Sequence, residues 1–241
     1  MEGRDQVKHT HLFLFGGSPP FPRGLGKRFA ELAMGGEGKV AILFVLRDGW
    51  EQYMPRYTQV LEQNGVLDFV YIPLTKHQNS SDVVEKLRAC TGVIIGGGET
   101  ELYRKYIVDT EIGQQVKRMY TQGVPIAGFS AGALISPAHC VIPPIDNSEG
   151  KHLFLKGLGL ITACVVCVHF TKWNEGKNLI AAMSKLGVPK GYGVDDEEGL
   201  YFVNGDFQES EGENYVLVED TGNGYNKMGG SLLYTEETLE L

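Results

Sequence analysis

The stretch Gly128-Phe129-Ser130-Ala131-Gly132 reads G-x-S-x-G. It follows the short apolar segment Val124-Pro125-Ile126-Ala127 and runs into Ala133, Leu134 and Ile135. This is the sequence form of a sharp strand-to-helix turn with a serine at its tip. Glycines two before and two after the serine relieve the crowding that such a turn creates. The helix that begins there aims its first backbone N–H groups at whatever the serine attacks. Strand, turn and helix together make one β-α unit, and the flanking segments tell whether that unit repeats.

Upstream it does. His11-Leu12-Phe13-Leu14-Phe15 is an apolar run closed by Gly16-Gly17. Leu25 to Met34 is helical, with Leu25, Phe29, Leu32 and Ala33 on one face. Lys39 to Leu46 is nearly all apolar, as a parallel strand covered on both faces should be. Glu51 to Asn64 reads as a helix and Leu67 to Ile72 as a third strand; Ser80-Ser81-Asp82 caps a helix running to about Cys90. Gly92 to Ile95 is a short buried strand entering Gly96-Gly97-Gly98, and helices over Glu99 to Tyr106 and Glu111 to Gln122 follow. The alternation implies an α/β fold, a mostly parallel sheet with helices on both faces and right-handed crossovers. Function in such sheets gathers at the carboxyl ends of the strands, where Gly96–Glu99 and Ser130 both fall.

Beyond Ser136 the character changes. Cys140 to Gly150 contains Pro143-Pro144, Asp146 and Glu149 and reads as an irregular or short-stranded connection. Ile161 to His169 is a strand running into Phe170-Thr171, Asn174 to Leu186 a helix, and Tyr192 to Val194 a short strand before the acidic run Asp195–Glu198. Leu200–Val203, Phe207–Glu209, Tyr215–Glu219 and Ser231–Tyr234 read as short strands, with Asn204-Gly205 as a hairpin signal. The C-terminal third is therefore expected to form a β-meander on one edge of the sheet. With no linker or repeat, residues 1–241 read as a single domain.

An apolar fraction of 42% and a charged fraction of 22% are ordinary for a globular chain. A formal charge of −8 gives no electrostatic case for nucleic acid or an anionic membrane as partner. No apolar run reaches the roughly 18–20 residues that span a bilayer. Met1–Asp5 lacks a signal peptide's basic-then-apolar pattern, so a cytoplasmic location is expected. Of four cysteines, Cys164 and Cys167 have C-x-x-C spacing inside an apolar strand, where residues three apart face opposite sides. No second pair completes a zinc site. The cysteines read as buried thiols, with neither metal nor organic cofactor.

A serine hydroxyl needs a base within hydrogen-bond reach. Among six histidines, His169 ends a strongly apolar strand, where a parallel sheet would expose it on the same rim as Ser130; His152 stays open. The base in turn needs an acid on its other nitrogen. Asp146, Glu149 and Asp196 are the candidates, with Asp146 placed first. Two oxyanion donors are needed: the N–H of Ala131 is one, and Gly96–Gly98, whose bare backbone lets a carbonyl approach, offers the other.

Together, Gly96-Gly97-Gly98-Glu99-Thr100, Gly128–Ala133 and His169-Phe170-Thr171 resemble peptidase family S51, the dipeptidase E and cyanophycinase group. The resemblance implies a class I glutamine-amidotransferase-like fold. It also implies Ser130 as nucleophile, His169 as base, Gly98 and Ala131 as oxyanion donors, and Asp146, 16 residues past the serine, as the acid. Gly97, Glu99, Thr171 and Lys172 are then expected to meet the substrate. Glu99 stands where that family commonly has asparagine, and Lys172 and Lys177 are the cations after His169. The expected activity is serine hydrolysis of short peptides or related amides, with a small peptide as partner and a homodimer as one expectation for assembly. Two other readings share the elbow. An α/β-hydrolase esterase is told apart by strand order and an antiparallel second strand, and a non-catalytic amidotransferase-like binding protein by a serine that does not react.

Overall fold

The computed structural model describes residues 8–36 and 38–230. In chain order the first half runs β1 (His11–Phe15), α1 (Arg23–Ala33), β2 (Lys39–Val45), α2 (Trp50–Tyr53), α3 (Pro55–Gln63), β3 (Asp68–Leu74), α4 (Ser80–Arg88), β4 (Gly92–Ile95), α5 (Thr100–Tyr103), α6 (Glu111–Thr121), β5 (Ile126–Phe129) and α7 (Ala131–Ile135). The second half runs β6 (His139–Ile142), β7 (Leu153–Lys156), β8 (Cys164–Val168), α8 (Gly176–Leu186), β9 (Lys190–Val194), β10 (Gly199–Val203), β11 (Asp206–Glu211), β12 (Tyr215–Asp220) and β13 (Tyr225–Gly230). The expected strand at Ser231–Tyr234 lies outside the described residues.

The main sheet has seven strands in the order β11-β10-β1-β5-β4-β2-β3. From β1 to β3 all are parallel, and β10 and β11 close the β1 edge in antiparallel pairing. Strand β2 runs parallel to both its neighbours, the point on which an α/β-hydrolase sheet would differ. Side-chain alternation decides which helix covers which face. Phe13, Phe15, Ile42, Phe44, Ile94 and Phe129 pack against Leu25, Phe29, Tyr57 and Leu61 of α1 and α3. Leu12, Leu14, Ala41, Leu43, Val93 and Ile95 pack on the other face against Val83, Leu87, Ile112 and Val116 of α4 and α6. Burying a large side chain in such a layer contributes about 1.5–3 kcal/mol, and two covered faces explain the near-continuous apolar runs of β1 and β2.

Some boundaries differ from the expectation for local reasons. The helix expected over Glu51–Asn64 breaks into α2 and α3 at Met54, because Pro55 has no N–H to continue the ladder and instead starts the second helix. The helix expected from Glu99 to Tyr106 is one α turn followed by a π turn over Arg104–Val108. Strand β13 escapes notice because it is polar and ends in Gly229-Gly230.

The larger correction concerns the C-terminal third, which is not one meander on one edge. Strands β10 and β11, joined at Asn204-Gly205 with both residues at positive φ, extend the main sheet. Strands β12 and β13 instead join β9 and β8 in a separate four-stranded sheet, ordered β13-β12-β9-β8. Strands β8 and β9 are parallel in it, and α8 covers one face through Leu179 and Met183 against Val165, Cys167, Val216 and Val218. The short ribbon β6–β7 stands apart from both sheets. No helix among the described residues is long and apolar enough to cross a membrane.

Candidate active site

Ser130 follows β5 directly and sits at φ 48°, ψ −105°, a conformation that β-carbon sterics disfavour. The surrounding glycines make that turn possible. A Cβ on Gly128 would lie 2.5 Å from the Gly132 carbonyl oxygen, and one on Gly132 would lie 2.3 Å from the Ile95 carbonyl oxygen. The Ser130 N–H donates to the Phe15 carbonyl (2.9 Å), which ties the elbow to β1.

His169 follows β8, which belongs to the second sheet rather than the parallel one expected. The two sheets meet at their carboxyl rims, with Gly16-Gly17 as the seam. The His169 N–H donates to the Gly16 carbonyl (3.2 Å), and His169 Nε2 lies 2.9 Å from Ser130 Oγ. Its other nitrogen, Nδ1, bonds Asp196 Oδ1. Asp196 lies in the link that crosses from β9 in one sheet to β10 in the other. A side chain on either glycine would break this seam: a Cβ on Gly16 would meet the Val194 carbonyl at 2.2 Å, and one on Gly17 would meet Asp196 Oδ1 at 2.7 Å. Ser130 is buried and the His169 side chain is 12% exposed, whereas Asp196 is 44% exposed, so solvent reaches the acid more than the pair that would exchange a proton. The Trp173 ring lies 4.3 Å from the imidazole, centroid to centroid, and limits its movement.

Asp146, placed first from the sequence, does not reach His169. It sits in a single 3₁₀ turn after Pro143 and accepts a hydrogen bond from Thr100 Oγ1 at 2.6 Å. Burial pushes its carboxyl up to about 6, helped by the charges of Glu101 and Glu99 and opposed by the Thr100 bond. Its partner Thr100 opens α5. Glu149, the second candidate, pairs with Lys151 at 2.6 Å. Asp196, the third, makes the contact.

Gly97 abuts the elbow, since a Cβ there would stand 3.3 Å from Ser130 Cβ. Gly98 is exposed with φ 151°, and Glu99 is exposed at the start of α5. Ala131 opens α7. Lys172 Nζ stands 3.5 Å from Asp196 Oδ2. Thr171 directs its N–H (2.6 Å) and its hydroxyl to the Asp195 carboxylate, which anchors the turn after His169. Neither that anchor nor the Gly16-Gly17 seam was anticipated. The only signal was that both stand immediately after strands. The cysteine reading agrees with the packing: Cys164 and Cys167 are buried on opposite faces of β8, and burial pushes the Cys164 thiol up to about 12.

The sequence model of peptidase family S51 matches residues 34–210. The chain belongs to peptidase family S51. Among relatives, a cyanophycinase from Geminocystis herdmanii is 23% identical over 171 residues, covering 68% of this chain and 63% of that protein. A cyanophycinase from Nostoc sp. is 25% identical over 171 residues, covering 68% and 57%. The chain thus spans about three-fifths of the length of these relatives. The fold recurs in solved structures. A peptidase from an acI-B1 Actinobacterium superposes with a TM-score of 0.65 at 17% identity, covering 93% of this chain and 96% of that one. A putative peptidase E from Listeria monocytogenes EGD-e gives 0.58 at 17%, covering 84% and 98%.

Proposed function

We propose that this S51 protein is a serine hydrolase of short peptides or related amides, with Ser130, His169 and Asp196 as its catalytic residues. The observation that carries the reading is the 2.9 Å contact between Ser130 Oγ and His169 Nε2, with Asp196 on the opposite nitrogen. An Asp196 carboxylate accepting from Nδ1–H leaves Nε2 as the acceptor, the tautomer a general base needs. Ser130 Oγ attacks the scissile carbonyl carbon, and its proton passes to Nε2. Negative charge gathers on the carbonyl oxygen, to which the N–H groups of Gly98 and Ala131 donate. His169 then hands the proton to the departing amine, and water releases the acyl group by the same route reversed. The cyanophycinase and peptidase E likenesses support a peptide as substrate. Exposed Glu99 beside the glycine loop and exposed Lys172 after the histidine give the site mouth both signs of charge.

The test is hydrolysis of a panel of dipeptides bearing acidic, neutral and basic side chains. The wild-type protein is expected to cleave at least one of them, and Ser130→Ala to lose about a thousandfold or more in kcat/KM. Equal measurable rates for the two proteins would remove Ser130 from the chemistry, and no cleavage by either would favour the binding-protein reading.

A further inference from the structure

Two buried tyrosines from different elements converge on one peptide of the glycine loop. Tyr57 of α3 and Tyr103 of α5 are 2% and 1% exposed. The Gly97 N–H donates to Tyr57 Oη at 3.1 Å, and Tyr103 Oη donates to the Gly97 carbonyl at 3.1 Å while accepting from the Val45 N–H at 3.3 Å. A Cβ on Gly96 would come within 2.7 Å of the first hydroxyl and 3.0 Å of the second, so both are pressed onto the loop. On the other side, the Gly96 carbonyl accepts from the Gly132 N–H of the elbow helix at 3.2 Å.

These contacts fix the direction of each group in turn. The Gly96 carbonyl points to the elbow, while the N–H and carbonyl of Gly97 both point away, to the tyrosines. A peptide plane holds its carbonyl and the next N–H on opposite sides. With the Gly97 carbonyl held by Tyr103, the Gly98 N–H must therefore face back toward the elbow and Ser130. Gly98 has φ 151° and is exposed, so nothing in its own side chain or burial would hold that orientation.

We infer that Tyr57 and Tyr103 are positioning residues that lock the Gly97–Gly98 peptide with its N–H aimed at the oxyanion formed at Ser130. The inference rests on the nucleophile reading above. It extends the site to two side chains that touch neither the substrate nor the triad. A preorganised donor costs no reorganisation at the moment of reaction, and a donor free to rotate loses that advantage.

A fluorophosphonate probe reads this step directly. Ser130 Oγ forms a bond to phosphorus, the P–F bond breaks, fluoride leaves, and the serine proton goes to His169 Nε2. The wild-type, Ser130→Ala, Tyr103→Phe and Tyr57→Phe proteins are labelled over a range of probe concentrations, and their thermal unfolding is recorded. Tyr103→Phe is expected to lower the maximal labelling rate about 10–100-fold with the half-saturating concentration within about twofold, and Tyr57→Phe to act in the same direction less strongly. Folded variants that label at the wild-type rate overturn the inference. If Tyr103→Phe fails to fold, Tyr57→Phe decides alone by the same criterion. Wild-type protein that labels no faster than Ser130→Ala refutes the nucleophile reading itself, and the inference falls with it.

Discussion

The Asp196 carboxylate serves two neighbours with its two oxygens: Oδ1 bonds His169 Nδ1, and Oδ2 lies 3.5 Å from Lys172 Nζ. Adjacent Asp195 points elsewhere, to Thr171. Two neighbouring acids thus divide the work, one holding the imidazole and one holding the turn that presents it. Amidation separates the Asp196 role from that of Asp146. Asp196→Asn keeps the shape but replaces an acceptor with a group that favours the wrong tautomer of His169. It is expected to lower kcat/KM on the order of a thousandfold without moving the unfolding midpoint. Asp146→Asn is expected to leave kcat/KM within about threefold, since its partner is Thr100. Steady-state kinetics on both variants with the best dipeptide check this, and an unaffected Asp196→Asn would take Asp196 out of the triad. Ser130 was legible in the sequence because an elbow needs glycines only two residues away. Asp196 was legible only as one of three candidates, because its contact depends on a seam between two sheets whose strands lie far apart in the chain.

The elbow element shows how tightly a strand and its following helix are fitted. Gly132 is at an ordinary φ, so any penalty for a side chain there is steric; Gly49, at φ 73° with open space around it, isolates the conformational penalty. Gly132→Ala would push a methyl group against backbone, 2.3 Å from the Ile95 carbonyl oxygen, where no rotamer offers relief. The expected loss is about 2–4 kcal/mol, against about 1 kcal/mol for Gly49→Ala, read from urea unfolding midpoints. Equal losses would mean that β4 and α7 can separate more freely than their fit suggests. The same closeness explains which elements could be read in advance. Strands β1, β2 and β5 declare themselves because two covered faces demand unbroken apolar runs. The partition of β10–β13 between two sheets left no such mark. Strand β10 is covered on both faces, but β11, β12 and β13 are only partly buried, and alternation alone does not say which sheet supplies their cover.

Across the whole molecule the acid-base balance is uneven, with 30 acidic side chains against 22 lysines and arginines, and several carboxylates are partly or wholly buried. Asp146 is one that bears on the architecture. Its bond to Thr100 and the bond from the Ser148 N–H to Glu101 (2.8 Å) latch the segment between β6 and β7 onto α5, joining the two-stranded ribbon to the main sheet. Burial and two neighbouring glutamates raise the Asp146 carboxyl from 3.8 to about 6. The folded state therefore holds this proton more tightly than the unfolded chain does. Its contribution to stability is fully present below about pH 4 and is lost as the pH rises through about 6. A two-unit difference corresponds to about 3 kcal/mol, which the partial exposure of Asp146 reduces to about 1–2 kcal/mol. Glu175 and Glu198 are shifted upward by burial as well and act with the same sign, so the wild-type profile alone would not isolate Asp146. The difference between wild type and Asp146→Asn does. The amide cannot ionise, so relative to wild type the variant should gain about 1–2 kcal/mol between pH 4 and pH 7, measured by urea unfolding at both. A stability difference that is the same at both pH values would show that Asp146 titrates in the folded protein as it does in the unfolded chain, and that the latch carries no stored proton.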